Sequence, residues 1–272
     1  MCRYIIILFL GLFFCSFAQE SFPSKGLTQN DHNKIAIVNA NIWIDAKTSI
    51  SNAKLLIIKN KITAVGEDLT IPKGFKVVDM KNKYLYPSFI DLYSDYGMDT
   101  LKTYKALKPG IRYWNRAIHP EYNACENLNI DFKKNKTLRS MGFGAVLSHK
   151  TDGIARGTAS FVSLGDQRPH VEILTEKSAL CFSLKKGHSG VHYPGSYMGT
   201  IALLRQSLYD ADWYKRNKDK GIEKNQSLDA YNKSLGLNLL IETRSRLDIN
   251  NLYNISNEFK LPFIIKGTGH EY

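Results

Sequence analysis

The segment Tyr86–Gly97, YPSFIDLYSDYG, carries Asp91, Tyr93 and Asp95 at alternate positions. On an extended strand this spacing puts all three on one face, with Ile90, Leu92 and Ser94 on the other. A carboxylate at a strand end can ligate a metal or handle a proton, which makes Asp95 a candidate metal ligand. Tyr93 is a poor ligand, because a phenol with an ordinary pKa of about 10 stays neutral. Hydrogen-bonded residues without a metal are the plainer reading of this pair. A second acid, Glu242, closes the apolar run Leu237–Glu242 and is a candidate ligand or general base. Arg244 and Arg246 follow it and offer ion pairs instead. Asp95 and Glu242 could together serve glycoside hydrolysis only if their carboxyl groups lay roughly 5–9.5 Å apart.

The histidines carry less information. His188 and His192 stand at a spacing that clamps zinc on a helix, but Gly187, Gly190 and Pro194 predict a loop. Substrate contact is then their candidate role, against a plain surface position. His149 ends a predicted strand, and His270 follows the apolar run Pro262–Ile265. His32, His119 and His170 lack supporting context. The chain has neither a Gly-x-Ser-x-Gly elbow nor a P-loop. Cys125 and Cys181 can form a disulfide or remain two buried thiols, and no Cys-x-x-Cys pair is present for a thiolate zinc site. Lys and Arg number 37 against 25 Asp and Glu, a net charge of +12. The basic residues are scattered, with no basic stripe interleaved with aromatics, so nucleic acid is not an expected partner.

The elements that must position these residues fall into four stretches. Arg3, the apolar run Tyr4–Phe14, and the small residues Ser16 and Ala18 read as a signal peptide over residues 1–18. The mature chain is then expected to be exported, periplasmic or extracellular, with no integral membrane segment after cleavage. Residues 19–33 are a polar lead-in. Residues 34–86 hold short β-like runs, namely Ile35–Val38, Asn41–Ile44, Leu55–Ile58, Ile62–Val65 and Lys76–Asp79. They predict a small antiparallel sheet or sandwich, with a hairpin at Lys59-Asn60-Lys61. Residues 87–272 alternate apolar strands with helices. Ser88–Asp95, Gly142–Ser148, Phe161–Leu164, Ala179–Leu184, Leu237–Glu242 and Pro262–Ile265 are predicted strands. Asp131–Met141, Pro194 to about Lys218, and Asp248–Phe259 are predicted helices. Such an order predicts a parallel α/β layout.

An ordered series of motifs resembles the amidohydrolase superfamily, in particular exported bacterial hydrolases of the imidazolonepropionase-like group. The series runs through Ile35-Ala-Ile-Val-Asn-Ala-Asn41, Leu56-Ile-Ile-Lys-Asn-Lys-Ile-Thr-Ala-Val-Gly66, Val78 to Pro87, and Phe89-Ile-Asp91. Tyr193 to Gln206 and Asp210-Ala-Asp-Trp-Tyr214 also look like that group. The resemblance implies a TIM-like metal-dependent hydrolase barrel preceded by a small β-sandwich, acting on non-peptide carbon–nitrogen bonds of a small-molecule substrate. It implies a divalent metal, zinc in the family, held by a His-x-His on the first barrel strand and by ligands from later strands. Tyr93 and Asp95 occupy the His-x-His positions, so the metal motif is degenerate and this segment is expected to hold no metal of its own or a weak one. Glu242 falls where a later strand delivers a ligand, and His270 near another ligand position. An eight-stranded barrel takes roughly 250 residues, more than follow Pro87. The expectation is therefore an incomplete barrel in a longer protein, either a hydrolase in its own right or a non-catalytic domain that binds ligand or supports an active downstream domain.

Overall fold

The computed structural model describes residues 34–98 and 111–269. The signal and lead-in assignments and His270 lie outside the described residues. Among these residues, no helix is long and apolar enough to cross a membrane. The chain is mixed α/β and divides into two compact units, Met1–Pro87 and Ser88–Tyr272.

The first unit contains β1 (Lys34–Trp43), β2 (Ser49–Ile58), β3 (Lys61–Gly66), β4 (Lys76–Asp79) and β5 (Tyr84–Leu85). These form one mixed sheet rather than an antiparallel one. β1, β2 and β3 pair antiparallel, while β4 and β5 both run parallel to β1 along its free side. Two runs expected as separate strands, Ile35–Val38 and Asn41–Ile44, join as β1 across an irregularity at Asn39, whose φ is 53°. Asparagine tolerates this left-handed conformation better than most residues. Ala40, Ile42, Ala53 and Leu55 form the buried apolar centre.

The second unit contains β6 (Phe89–Ser94), β7 (Phe143–Ser148), β8 (Ala155–Ser163), β9 (Ile173–Ser183), β10 (Asn238–Glu242) and β11 (Phe263–Lys266). Its described helices are α1 (Phe132–Ser140), α2 (Pro169–Glu172), α3 (Tyr197–Asn217), α4 (Gln226–Ser234) and α5 (Arg246–Phe259). The strands make one six-stranded sheet in the order β11-β10-β9-β8-β7-β6. Five run the same way, but β8 is antiparallel to both neighbours. The expected parallel layout thus holds for five strands and is corrected at β8. The link between β7 and β8 is too short for a crossover helix, so β8 can only fold back.

Alternation along these strands buries both faces. Leu180, Phe182, Leu239 and Ile241 pack against Leu203, Leu204 and Leu208 of α3, Tyr231 of α4, and Leu252 and Ile255 of α5. Ala179, Cys181 and Leu240 point the other way and pack with Leu147, Ala159, Tyr93 and Phe161. Burial on two faces explains why these strands read as continuous apolar runs. α3 begins at Tyr197, not at Pro194, because Ser196 caps it by accepting a hydrogen bond from the Gly199 amide at 3.1 Å. Cys125 and Cys181 are both free thiols.

Candidate functional site

The carboxyl ends of β6, β7, β9, β10 and β11 gather on one side of the second unit's sheet, and the start of β8 joins them because that strand is reversed. At this mouth Tyr93, near the end of β6, donates its hydroxyl hydrogen to Glu242 Oε2 at 2.7 Å. Arg156 binds both partners. Its Nη1 donates to the Tyr93 hydroxyl at 2.5 Å and its Nη2 to Glu242 Oε2 at 2.9 Å, while Nε donates to the Gly153 carbonyl at 3.1 Å. Lys185, two residues past β9, donates to Glu242 Oε1 at 3.2 Å. Lys266, the last residue of β11, sits 5.0 Å above the Tyr93 ring. The Arg156 side chain is only 2% exposed, and that of Glu242 is 14% exposed.

Arg156 reaches this position through backbone geometry. The β8–β9 register slips between Ala155 and Gly157, which places Arg156 in a bulge. A bulge re-aims the side chain it carries. Gly157 beside it has φ +84°, and a Cβ there would lie 2.1 Å from the Tyr122 carbonyl oxygen. Glycine is therefore required for the close approach of the two chains.

The electrostatics follow from this packing. Burial pushes the Glu242 carboxyl up, but the Tyr93 hydrogen bond and the Arg156 charge outweigh it and hold the group below its ordinary value. Burial raises the Tyr93 phenol, with Arg156 opposing and Glu242 adding to the rise. Tyr93 is thus neutral and Glu242 ionised. His149, directly after β7, is fully buried, and its ring meets the Tyr93 ring edge-on at 4.5 Å. Its Nδ1 lies 2.8 Å from the Lys150 carbonyl, so that nitrogen carries the proton. Nε2 is left as a buried acceptor with no hydrogen-bond partner among the described residues. Burial pushes the His149 pKa down to about 4.

A cleft of about 280 Å³ opens beside this network. Leu184, Lys185, Tyr197, Glu242, Arg244, Ser245, Leu247 and Asp248 line it. It lies outside the carboxyl ends of β9 and β10, where α/β sheets commonly bind ligands. Asp248 is committed to structure, accepting from the Tyr197 hydroxyl at 2.6 Å and from the Arg244 amide at 2.7 Å.

Tyr93 and Glu242 are brought together, and the other candidates are not. Asp95 is exposed, one residue past β6. His188 and His192 lie in a loop; His188 bonds Asp152 through its amide and Nδ1, and neither histidine lines the cleft. Glu242 pairs with Arg156 and Lys185 rather than with Arg244 or Arg246. Its depressed pKa is also the opposite of what a general acid for glycoside cleavage needs. Arg156, Lys185 and Lys266 are functional candidates that sequence reasoning missed. The one available signal was an isolated arginine within the small and apolar run Gly153-Ile-Ala-Arg-Gly-Thr-Ala159.

These residues do not fit a divalent metal. A metal needs free lone pairs, but both Glu242 oxygens are bound to cations and the Tyr93 oxygen already accepts from a guanidinium. Among the described residues no group of three or more His, Cys, Asp or Glu side chains could hold a metal ion.

No protein-family model matches this sequence, and no curated protein does. A solved structure does: an amidohydrolase from Thermotoga maritima MSB8 matches with a TM-score of 0.69 at 19% identity, over 85% of this chain and 64% of that one. The chain has the fold of part of an amidohydrolase. It spans just under two thirds of that solved chain, and at this identity the likeness speaks for fold alone. Another amidohydrolase (TM-score 0.36, 11% identity, 81% of this chain and 59% of that one) also matches. So does a D-hydantoinase (dihydropyrimidinase) from Thermus sp., with a TM-score of 0.32 at 13% identity, over 86% of this chain and 57% of that one. At those TM-scores the last two add nothing to the assignment. Within the amidohydrolase-type fold, the strand-end mouth of this chain carries a guanidinium–carboxylate pair.

Proposed function

We propose that this chain is the amidohydrolase-like part of an exported hydrolase acting on carbon–nitrogen bonds other than peptide bonds, and that its own strand-end mouth binds ligand without a metal. The amidohydrolase-type fold, the motif series from Ile35 to Asp91 and the signal-like residues 1–18 support the first half. The single observation that carries the second half is the buried Arg156–Glu242 pair, 2.9 Å long, at the strand ends. In this reading the bond-breaking step belongs to a further domain of the same polypeptide, and this unit presents or retains the small molecule. We read the second unit as a partial TIM-like barrel. Support comes from its edge strands, where Ile90 and Leu92 of β6 and Ile264 and Ile265 of β11 are exposed. We read the first unit as part of a small β-sandwich, with the rest of it elsewhere in the polypeptide.

Elemental analysis tests the reading. The purified chain should contain only traces of zinc, manganese, iron or nickel and should not retain zinc after dialysis. The complete polypeptide should hold stoichiometric metal and hydrolyse cyclic amides. Stoichiometric metal in this chain that Asp95→Asn releases would overturn the proposed mouth.

A further inference from the structure

The cleft beside Glu242 has more positive charge around it than its own acids neutralise. Glu242 is one carboxylate facing the Arg156 and Lys185 cations within 3.2 Å, and Lys266 also lowers its pKa electrostatically. Arg244 lines the cleft, and its guanidinium makes no hydrogen bond or ion pair among the described residues. The other acid on the wall, Asp248, has both oxygens occupied by the Tyr197 hydroxyl and the Arg244 amide. Asp95 is exposed and is not part of the wall. Apolar surface from Leu184, Leu247 and Tyr197 supplies the remaining lining.

We propose that this cleft binds a small organic carboxylate, with its anionic end between Arg244 and Lys185 and its apolar body on Leu184, Leu247 and Tyr197. A planar guanidinium with free donors matches a carboxylate in two-point geometry. Lys185 is already anchored on Glu242 Oε1, so its ammonium keeps further donors for a second anion at little conformational cost. A cationic ligand would meet two facing cations and only acids that are already paired. The inference rests on the proposed hydrolase reading for its choice of anion, because cleaving an amide-type carbon–nitrogen bond frees a carboxylate.

Calorimetric titration of the purified chain with hexanoate, hexanamide, hexylamine and inorganic phosphate tests the site. Hexanoate should bind saturably, and hexanamide and hexylamine about tenfold or more weakly. Arg244→Gln should weaken hexanoate by about tenfold while leaving the circular dichroism spectrum and Tm unchanged, and Arg244→Lys should restore part of the loss. Arg246→Gln, two residues away and off the cleft wall, should bind as the parent does. Equal affinity for hexanoate and hexanamide, parent-like affinity in Arg244→Gln, or phosphate binding tighter than hexanoate would each overturn the proposal. None of these measurements needs turnover. A chain that binds hexanoate while the complete polypeptide hydrolyses nothing would sink the hydrolase reading and leave the carboxylate site standing.

Discussion

Replacing Arg156 with methionine keeps an unbranched apolar stem in the buried position and removes the guanidinium with its charge. The guanidinium donates to Tyr93, Glu242 and the Gly153 carbonyl, and its side chain is 2% exposed. Removing one partner of a buried ion pair costs ~3–5 kcal/mol, chiefly because the other charge is left uncompensated. Here Lys185 stays on Glu242 Oε1 and Tyr93 still donates to Oε2, which puts the loss at the lower end, ~3 kcal/mol. In a folding unit of roughly 150–250 residues this lowers Tm by ~6–12 °C. Urea unfolding followed by tryptophan fluorescence measures the loss. A Trp43→Phe background confines the signal to Trp114 and Trp213 of the second unit. Adding Glu242→Gln removes the stranded charge, so the double variant should be ~1–3 kcal/mol more stable than the sum of the single losses. A loss below ~1 kcal/mol for Arg156→Met, or strict additivity in the double variant, would refute the claim that this pair holds the mouth together.

Two further outcomes follow from neighbouring residues. His149 has its pKa pushed down to about 4 in the fold, against an ordinary 6.5. The unfolded chain therefore takes up the proton first, and stability should fall as pH drops from about 6.5 to 4 and then level off, with about 3 kcal/mol lost from this residue. Urea titrations across that window should show a flatter curve for His149→Phe, and an unchanged slope would remove His149 as its cause. Gly157→Ala places a Cβ 2.1 Å from the Tyr122 carbonyl oxygen at a φ of +84°. The fold should lose more than ~2 kcal/mol, read as a drop in Tm; a parent-like Tm would show that the two chains can separate there at no cost.

Much of the architecture was readable from local pattern. Runs such as Leu237–Glu242 are apolar at successive positions because both faces of the strand are buried, and this burial is encoded in residue type alone. Asp131 marks a helix start for a local reason, since its side chain accepts hydrogen bonds from amides two and three residues on, whereas the helix expected from Asp248 begins at Arg246 because Ser245 caps it in the same way. The helix α4 was missed because Gln226–Ser234 is mostly polar and anchors to the core through only Leu228 and Tyr231 among its apolar residues. The direction of β8 was also missed, since a short apolar run reads alike whichever way it runs.

At the site, the short run Phe89–Ser94 by itself placed Tyr93 near a strand end, and the apolar run before Glu242 determined that this acid ends a buried strand. Their partner could come only from tertiary structure. Arg156 lies 63 positions from Tyr93 and 86 from Glu242. It meets them because β8 runs backwards, bulges at Arg156 and has a glycine next to the bulge. Periodicity fixes which face a residue takes, whereas the order and direction of strands depend on contacts between distant segments. That is why Glu242 and Tyr93 were legible in the chain, and why the guanidinium that binds both of them was not.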